Sequence, residues 1–138
     1  MGEIRSNIDA QGIATVTLSN PTRMNAMQLQ MWRALQETMQ ALSNDTKVRV
    51  VVLRGDGDAA FVSGADISEF ESVRATPDAV LIYDEMVEAA EDAIGACRKP
   101  VIAAISGVCY GGGLGIALSC DLRYSNHDAR FCLPAGKL

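Results

Sequence analysis

Two short glycine loops hold the residues with the clearest chemical potential in this sequence, Ser63-Gly64-Ala65-Asp66-Ile67 and Tyr110-Gly111-Gly112-Gly113-Leu114. Each reads as a glycine turn running into a helix, where the first backbone N–H groups have no partner inside the helix. Two such groups converging on one point would form an oxyanion hole and stabilise charge developing on a carbonyl oxygen. That task needs no side chain, and small residues permit the close approach it requires. The same residues also fit a pair of tight turns with glycine for steric reasons. Glycine content alone favours that simpler reading.

A third loop, Gly55-Asp56-Gly57-Asp58-Ala59-Ala60, has the Gly-x-Gly-x-x-Ala form of a dinucleotide-binding turn. Asp56 and Asp58 would set two negative charges beside the phosphates, and Phe61-Val62-Ser63-Gly64 begins no helical period. A polar turn is therefore expected, with nucleotide binding as a minor alternative. Among titratable groups, Tyr83, Asp84, Glu85 and Glu88 fall on one predicted helix, Tyr83 on its apolar face and the carboxylates on a solvated one. His127 stands among Asn126, Asp128 and Arg130 and reads as surface turn. Cys97, Cys109, Cys120 and Cys132 form no Cys-x-x-Cys pair, so no metal site is expected. Two of them sit in apolar runs and are expected as reduced, buried thiols.

The elements that must position these loops follow from hydrophobic period. Residues 13–19 alternate apolar and polar, as a half-buried strand does, and Asn20-Pro21-Thr22 breaks the pattern. Met27, Met31, Leu35, Met39 and Leu42 recur at helical spacing, predicting an amphipathic helix that ends near Asn44. The run from Val48 to Leu53 predicts a strand buried on both faces. Residues 55–72 read as a long connection. Thr76-Pro77 predicts a helix start, and Val80, Tyr83, Val87, Ala90, Ile94 and Cys97 mark its buried face. Arg98 and Lys99 suit that helix's negative end, and Pro100 stops it. A strand at 101–105, a helix at 114–118 and strand-like pieces at 122–125 and 129–133 complete a β-α-β-α-β-α-β order. Such alternation predicts an α/β fold with mainly parallel pairing.

The 138 residues carry 12 Lys and Arg against 17 Asp and Glu, a formal charge of −5, which argues against nucleic-acid binding. With 49% hydrophobic residues the chain is too apolar to be disordered. No run is long enough to span a membrane, and no secretory pattern opens the sequence, so the cytoplasm is the expected location.

Four ordered segments resemble one family. Asn20 to Met27, Ala60 to Ile67, Lys99 to Gly107 and Gly111 to Asp121 are similar, in order and spacing, to the enoyl-CoA hydratase/isomerase (crotonase) family. The resemblance implies a spiral of ββα turns, incomplete at the C-terminus, with residues 1–138 as the N-terminal portion of an acyl-CoA-binding core and no second domain. It implies trimers, or hexamers made of two trimers. It assigns the oxyanion-hole N–H groups to Ala65 and Gly112. Substrate contacts fall to Arg23, Met24, Ala26, Ser63, Asp66, Ile67, Tyr110, Gly111, Pro134 and Ala135, with Arg23 near a coenzyme A phosphate. Asp121 becomes structural, bonding backbone near the glycine turn. No cofactor is implied, coenzyme A being part of the substrate.

The sequence departs from the family at two positions. A family hydratase adds water with two glutamates, and their places hold Gly115 and Ala135. Neither residue transfers a proton. Hydration or isomerisation of an enoyl-CoA, decarboxylation, thioester hydrolysis and a catalytically silent acyl-CoA-binding subunit all remain open. The chain is also short for the family, which predicts exposed apolar surface and self-association.

Overall fold

A computed structural model describes residues 1–134. The strands are β1 (Glu3–Ile8), β2 (Ile13–Ser19), β3 (Val50–Gly55), β4 (Ala60–Val62), β5 (Val101–Ile105), β6 (Val108–Tyr110), β7 (Leu122–Ser125) and β8 (Arg130–Cys132). The helices are α1 (Leu29–Asn44), α2 (Phe70–Val73), α3 (Pro77–Gly95) and α4 (Gly112–Ser119). One sheet runs β1-β2-β3-β5-β7, antiparallel only between β1 and β2, and a second runs β4-β6-β8, parallel throughout.

From β3 onward successive strands alternate between the sheets. β3 feeds β4, β5 feeds β6 and β7 feeds β8, and helices follow β4 and β6. This is a spiral of ββα turns, the expected α/β fold class. Simple strand–helix alternation missed β4 and β6, each three residues long and so below the reach of any periodicity, and β1, whose Glu-Ile-Arg-Ser-Asn-Ile run is mostly exposed.

The core lies between the larger sheet and the helices. Ala14, Val16 and Leu18 of β2, Val51 and Leu53 of β3 and Val101, Ala103 and Ile105 of β5 point inward against Met31, Trp32, Leu35 and Met39 of α1. Burying each such large side chain stabilises the fold by roughly 1.5–3 kcal/mol. The expectation that β3 is buried on both faces is corrected here. Val50 and Val52 are only half-buried, because the opposite face of the larger sheet is only partly covered.

Helix α3 starts as predicted, with Pro77 in its first turn and the Thr76 hydroxyl accepting from the Ala79 N–H at 3.1 Å. Its end differs from expectation. The Lys99 ammonium donates to the carbonyls of Asp45 and Val48, at 2.7 and 2.6 Å, past the end of α1 rather than of its own helix. Asp121 is structural, yet its carboxylate accepts from Val101 N–H at 2.8 Å, at the start of β5 and not at the glycine turn.

The four thiols are free. Burial pushes Cys109 up to about 11 and Cys120 to about 12, as inert core thiols require. Leu118 and Leu133 are 63% and 70% exposed, and Leu122, Tyr124 and Phe131 join them on the surface. Among the described residues no helix is long and apolar enough to cross a membrane.

Candidate active site

The segment from Asn20 to Ala26 folds as a compact polar knot that places the first glycine loop. Met24 and Asn25 both hold left-handed φ angles, 54° and 56°. The Asn25 amide oxygen accepts from Asn20 N–H, while its Nδ2 donates to the carbonyls of Asp56 and Ala60. Met24 carbonyl accepts from Ser63 N–H at 3.1 Å, and the Ser63 hydroxyl donates to the Arg23 carbonyl. Arg23, Met24 and Ser63 are thus brought together, although the side chain of Arg23 projects outward.

The next turn of chain pairs with Met27. Met27 N–H donates to the Gly64 carbonyl at 2.8 Å, and Asp66 N–H donates to the Met27 carbonyl at 2.9 Å. In a parallel bridge the residue between those two contacts directs its own N–H away from the partner. That residue is Ala65, whose N–H finds no acceptor among the described residues.

Asp66 locks this arrangement from behind. Its carboxylate is buried and accepts from Ser68 N–H, Ser68 Oγ, Gln28 Nε2 and Asn20 Nδ2. Burial opposes ionisation, but these donors outweigh it and hold the carboxyl below its ordinary range. Asp66 therefore serves the fold of the loop, and its side chain does not reach the cavity. Ile67, by contrast, is 75% exposed.

The second loop supplies the other N–H. Gly111 has φ +52°, a conformation that L side chains rarely adopt. Its N–H donates to the Cys132 carbonyl at 2.9 Å, tying the loop to β8. Gly112 begins α4, and its N–H has no acceptor among the described residues. At Gly113 a Cβ would collide with the Val62 carbonyl, so glycine is what lets α4 press onto β4. The two loops lie side by side, a Cβ on Gly111 falling 3.9 Å from Gly64 Cα.

Ala65 and Gly112 line one cavity of about 320 Å³, together with Trp32, Tyr83, Asp84, Val87, Glu88 and Glu91. Of the expected site residues that are described, these two line it. Tyr110 and Gly111 are half-buried beside it, Ala26 is buried, Pro134 sits half-buried after β8, and Ala135 lies outside the described residues. A depression of about 370 Å³ between α1 and α3, lined by Gln36, Gln40, Ser43 and Asp92 among others, touches neither glycine loop.

Sequence reasoning missed two wall residues, Trp32 and Glu91. Trp32 packs over Gly112, a Cβ there falling 3.0 Å from its ring. Tyr83 is buried as predicted, but against the cavity. Neither its hydroxyl nor Trp32 Nε1 has a hydrogen-bond partner among the described residues. Burial pushes the Tyr83 phenol up. Glu91 follows Asp84 and Glu88 by seven and three positions on α3, a spacing that would have included it. Asp84 itself pairs with Arg74 at 2.9 Å, and Arg74 lies over the Phe70 and Tyr83 rings.

The Gly55 to Ala60 loop connects β3 to β4, with no helix after it, so no phosphate-binding helix end forms there. Its Asp56 pairs with Arg5 at 3.0 Å and accepts from Ser19 Oγ at 2.7 Å. It is the polar turn that was expected. His127 is exposed in the β7–β8 turn.

The enoyl-CoA hydratase/isomerase family model matches residues 9–138. The chain belongs to that family. Among solved structures, an enoyl-CoA hydratase/carnithine racemase from Magnetospirillum magneticum superimposes with a TM-score of 0.93 and 46% identity, over 99% of this chain and 51% of that one. The short-chain-enoyl-CoA hydratase of Clostridium acetobutylicum is 34% identical over 88% of this chain and 46% of its own length. A mitochondrial Δ(3,5)-Δ(2,4)-dienoyl-CoA isomerase of Mus musculus is 38% identical over 84% and 38%. The chain spans about half the length of the curated relatives it matches. The spiral of ββα turns is therefore the crotonase fold.

Proposed function

We propose that the protein is an enzyme acting on acyl-CoA thioesters, and that the N–H groups of Ala65 and Gly112 hold the thioester oxygen as it becomes an enolate. The observation that carries this reading is the pair of N–H groups, without partners among the described residues, on two abutting loops at one cavity. Trp32 and Val87 give that cavity apolar walls, where a hydrogen bond to developing charge is worth more than in water. Arg23, Met24 and Ser63 lie on the approach to Ala65 and would meet the coenzyme A portion largely through backbone. Enoyl-CoA hydration or isomerisation is the reaction class that the relatives' names support. Gly115 favours a second reading, decarboxylation or thioester hydrolysis, because the family's carboxylate is missing there. Self-association through the exposed apolar residues of α4, β7 and β8 would supply a trimer.

Calorimetric titration with a medium-chain acyl-CoA, with NADH in parallel, is the first test of the binding reading, and product is sought in the same sample. Binding of acyl-CoA and not NADH is expected. Ala65→Pro removes one donor and should lower turnover about 10²–10³-fold. Unchanged turnover by a folded Ala65→Pro variant refutes the oxyanion role.

A further inference from the structure

We propose that Glu91 is the catalytic acid and base of this site, taking a proton from and returning it to the acyl carbon next to the thioester carbonyl. This rests on the acyl-CoA reading above and adds the residue that reading lacks. Gly115, three positions after Gly112, stands where the resemblance puts a glutamate. A Cβ at position 115 would overlap Glu91 Oε1. The missing side chain on α4 thus makes the room that a carboxylate from α3 occupies.

Three observations single out Glu91 among the acidic residues of that wall. It lines the cavity with Ala65 and Gly112 and is half-buried. It accepts no hydrogen bond and forms no ion pair among the described residues, whereas Asp84 is engaged by Arg74 and Glu88 is exposed. A half-buried carboxylate without a partner costs stability, and such an environment is the kind in which acid–base groups are tuned. Burial first, then repulsion by Asp92 and Glu88, pushes its carboxyl above the ordinary glutamate range and makes it the better base. The elements across the cavity present Trp32, Ala65, Gly112 and Gly115, none of them charged.

The step balances without a co-reactant. The Glu91 carboxylate accepts the proton as the C–H bond breaks. The bond's electron pair becomes the enolate double bond, with the charge on the thioester oxygen held by the two N–H groups. Reversal returns a proton to the same carbon.

The test is deuterium exchange at the carbon beside the carbonyl of a saturated acyl-CoA in D₂O, read by mass spectrometry on the whole protein. Glu91→Gln keeps the shape and removes the base. Exchange should fall about 10²–10⁴-fold while calorimetric affinity for the same acyl-CoA is kept. Glu85→Gln, exposed on the same helix and off the cavity, should exchange as wild type does. The wild-type rate should fall as the pH drops through a carboxyl pKa above the usual glutamate value, a profile that a merely structural residue would not produce. Exchange by Glu91→Gln within about tenfold of wild type overturns the proposal. A flat wild-type profile between about pH 4 and 8 does so too, and remains decisive should the variant fail to fold. Wild-type protein that binds acyl-CoA without exchange overturns the role of Glu91 and leaves the binding reading standing. Wild-type protein that does neither overturns both.

Discussion

Removing the Asp66 carboxylate tests whether the first oxyanion loop is held from behind. The buried carboxylate accepts at 3.0 and 2.5 Å from Ser68, 3.1 Å from Gln28 and 3.4 Å from Asn20. In Asp66→Ala these contacts are not lost equally. Ser68 is exposed and regains water, and Asn20 Nδ2 keeps the Ala26 carbonyl at 2.8 Å. The main losses are the charge-assisted bond from Gln28, about 2 kcal/mol, and the cap on Ser68 N–H, which water replaces only in part, about 1 kcal/mol. The expected destabilisation is about 3 kcal/mol, a large share of the roughly 5–15 kcal/mol that holds a domain together. Urea unfolding followed by Trp32, the single tryptophan, measures it.

The pH dependence of that loss is an internal check. The folded pKa of Asp66 lies below the unfolded one, so its contribution is complete above the unfolded value of about 3.9 and is lost as the pH falls through the folded value. The gap between wild type and variant should therefore narrow in acid. A loss under about 1 kcal/mol at neutral pH, or one unchanged between neutral pH and about pH 3, refutes the reasoning.

Two further substitutions probe the neighbouring walls. Gly113→Ala drives a methyl into the Val62 carbonyl and should cost about 3 kcal/mol in urea unfolding, whereas Gly115→Ala meets only a flexible carboxylate end and should be near neutral. Equal costs would show that α4 is not pressed onto β4. Tyr83→Phe removes a buried hydroxyl that has no partner among the described residues and should stabilise the protein by about 1 kcal/mol, seen as a raised Tm. A lowered Tm would mean that the hydroxyl is satisfied in solution.

Sequence alone determined the elements whose pattern is local. The alternation of residues 13–19, the helical spacing from Met27 to Leu42 and the Thr76-Pro77 start each state their own geometry, whereas glycine content marked the two loops only as turns. The partners of those elements were another matter. β4 and β6 span three residues each and exist as strands only because parallel neighbours complete their hydrogen bonds. Ala65 carries no chemical signal in its side chain. Its N–H has no acceptor among the described residues because Met27, distant in sequence, takes the contacts on either side of it. Glu91 looks like any carboxylate on a solvated helix face until Gly115 is set opposite it. Periodicity records which face of a segment is buried, but only the packing of one segment on another decides which backbone donors stay unpaired and which carboxylate fills an empty place.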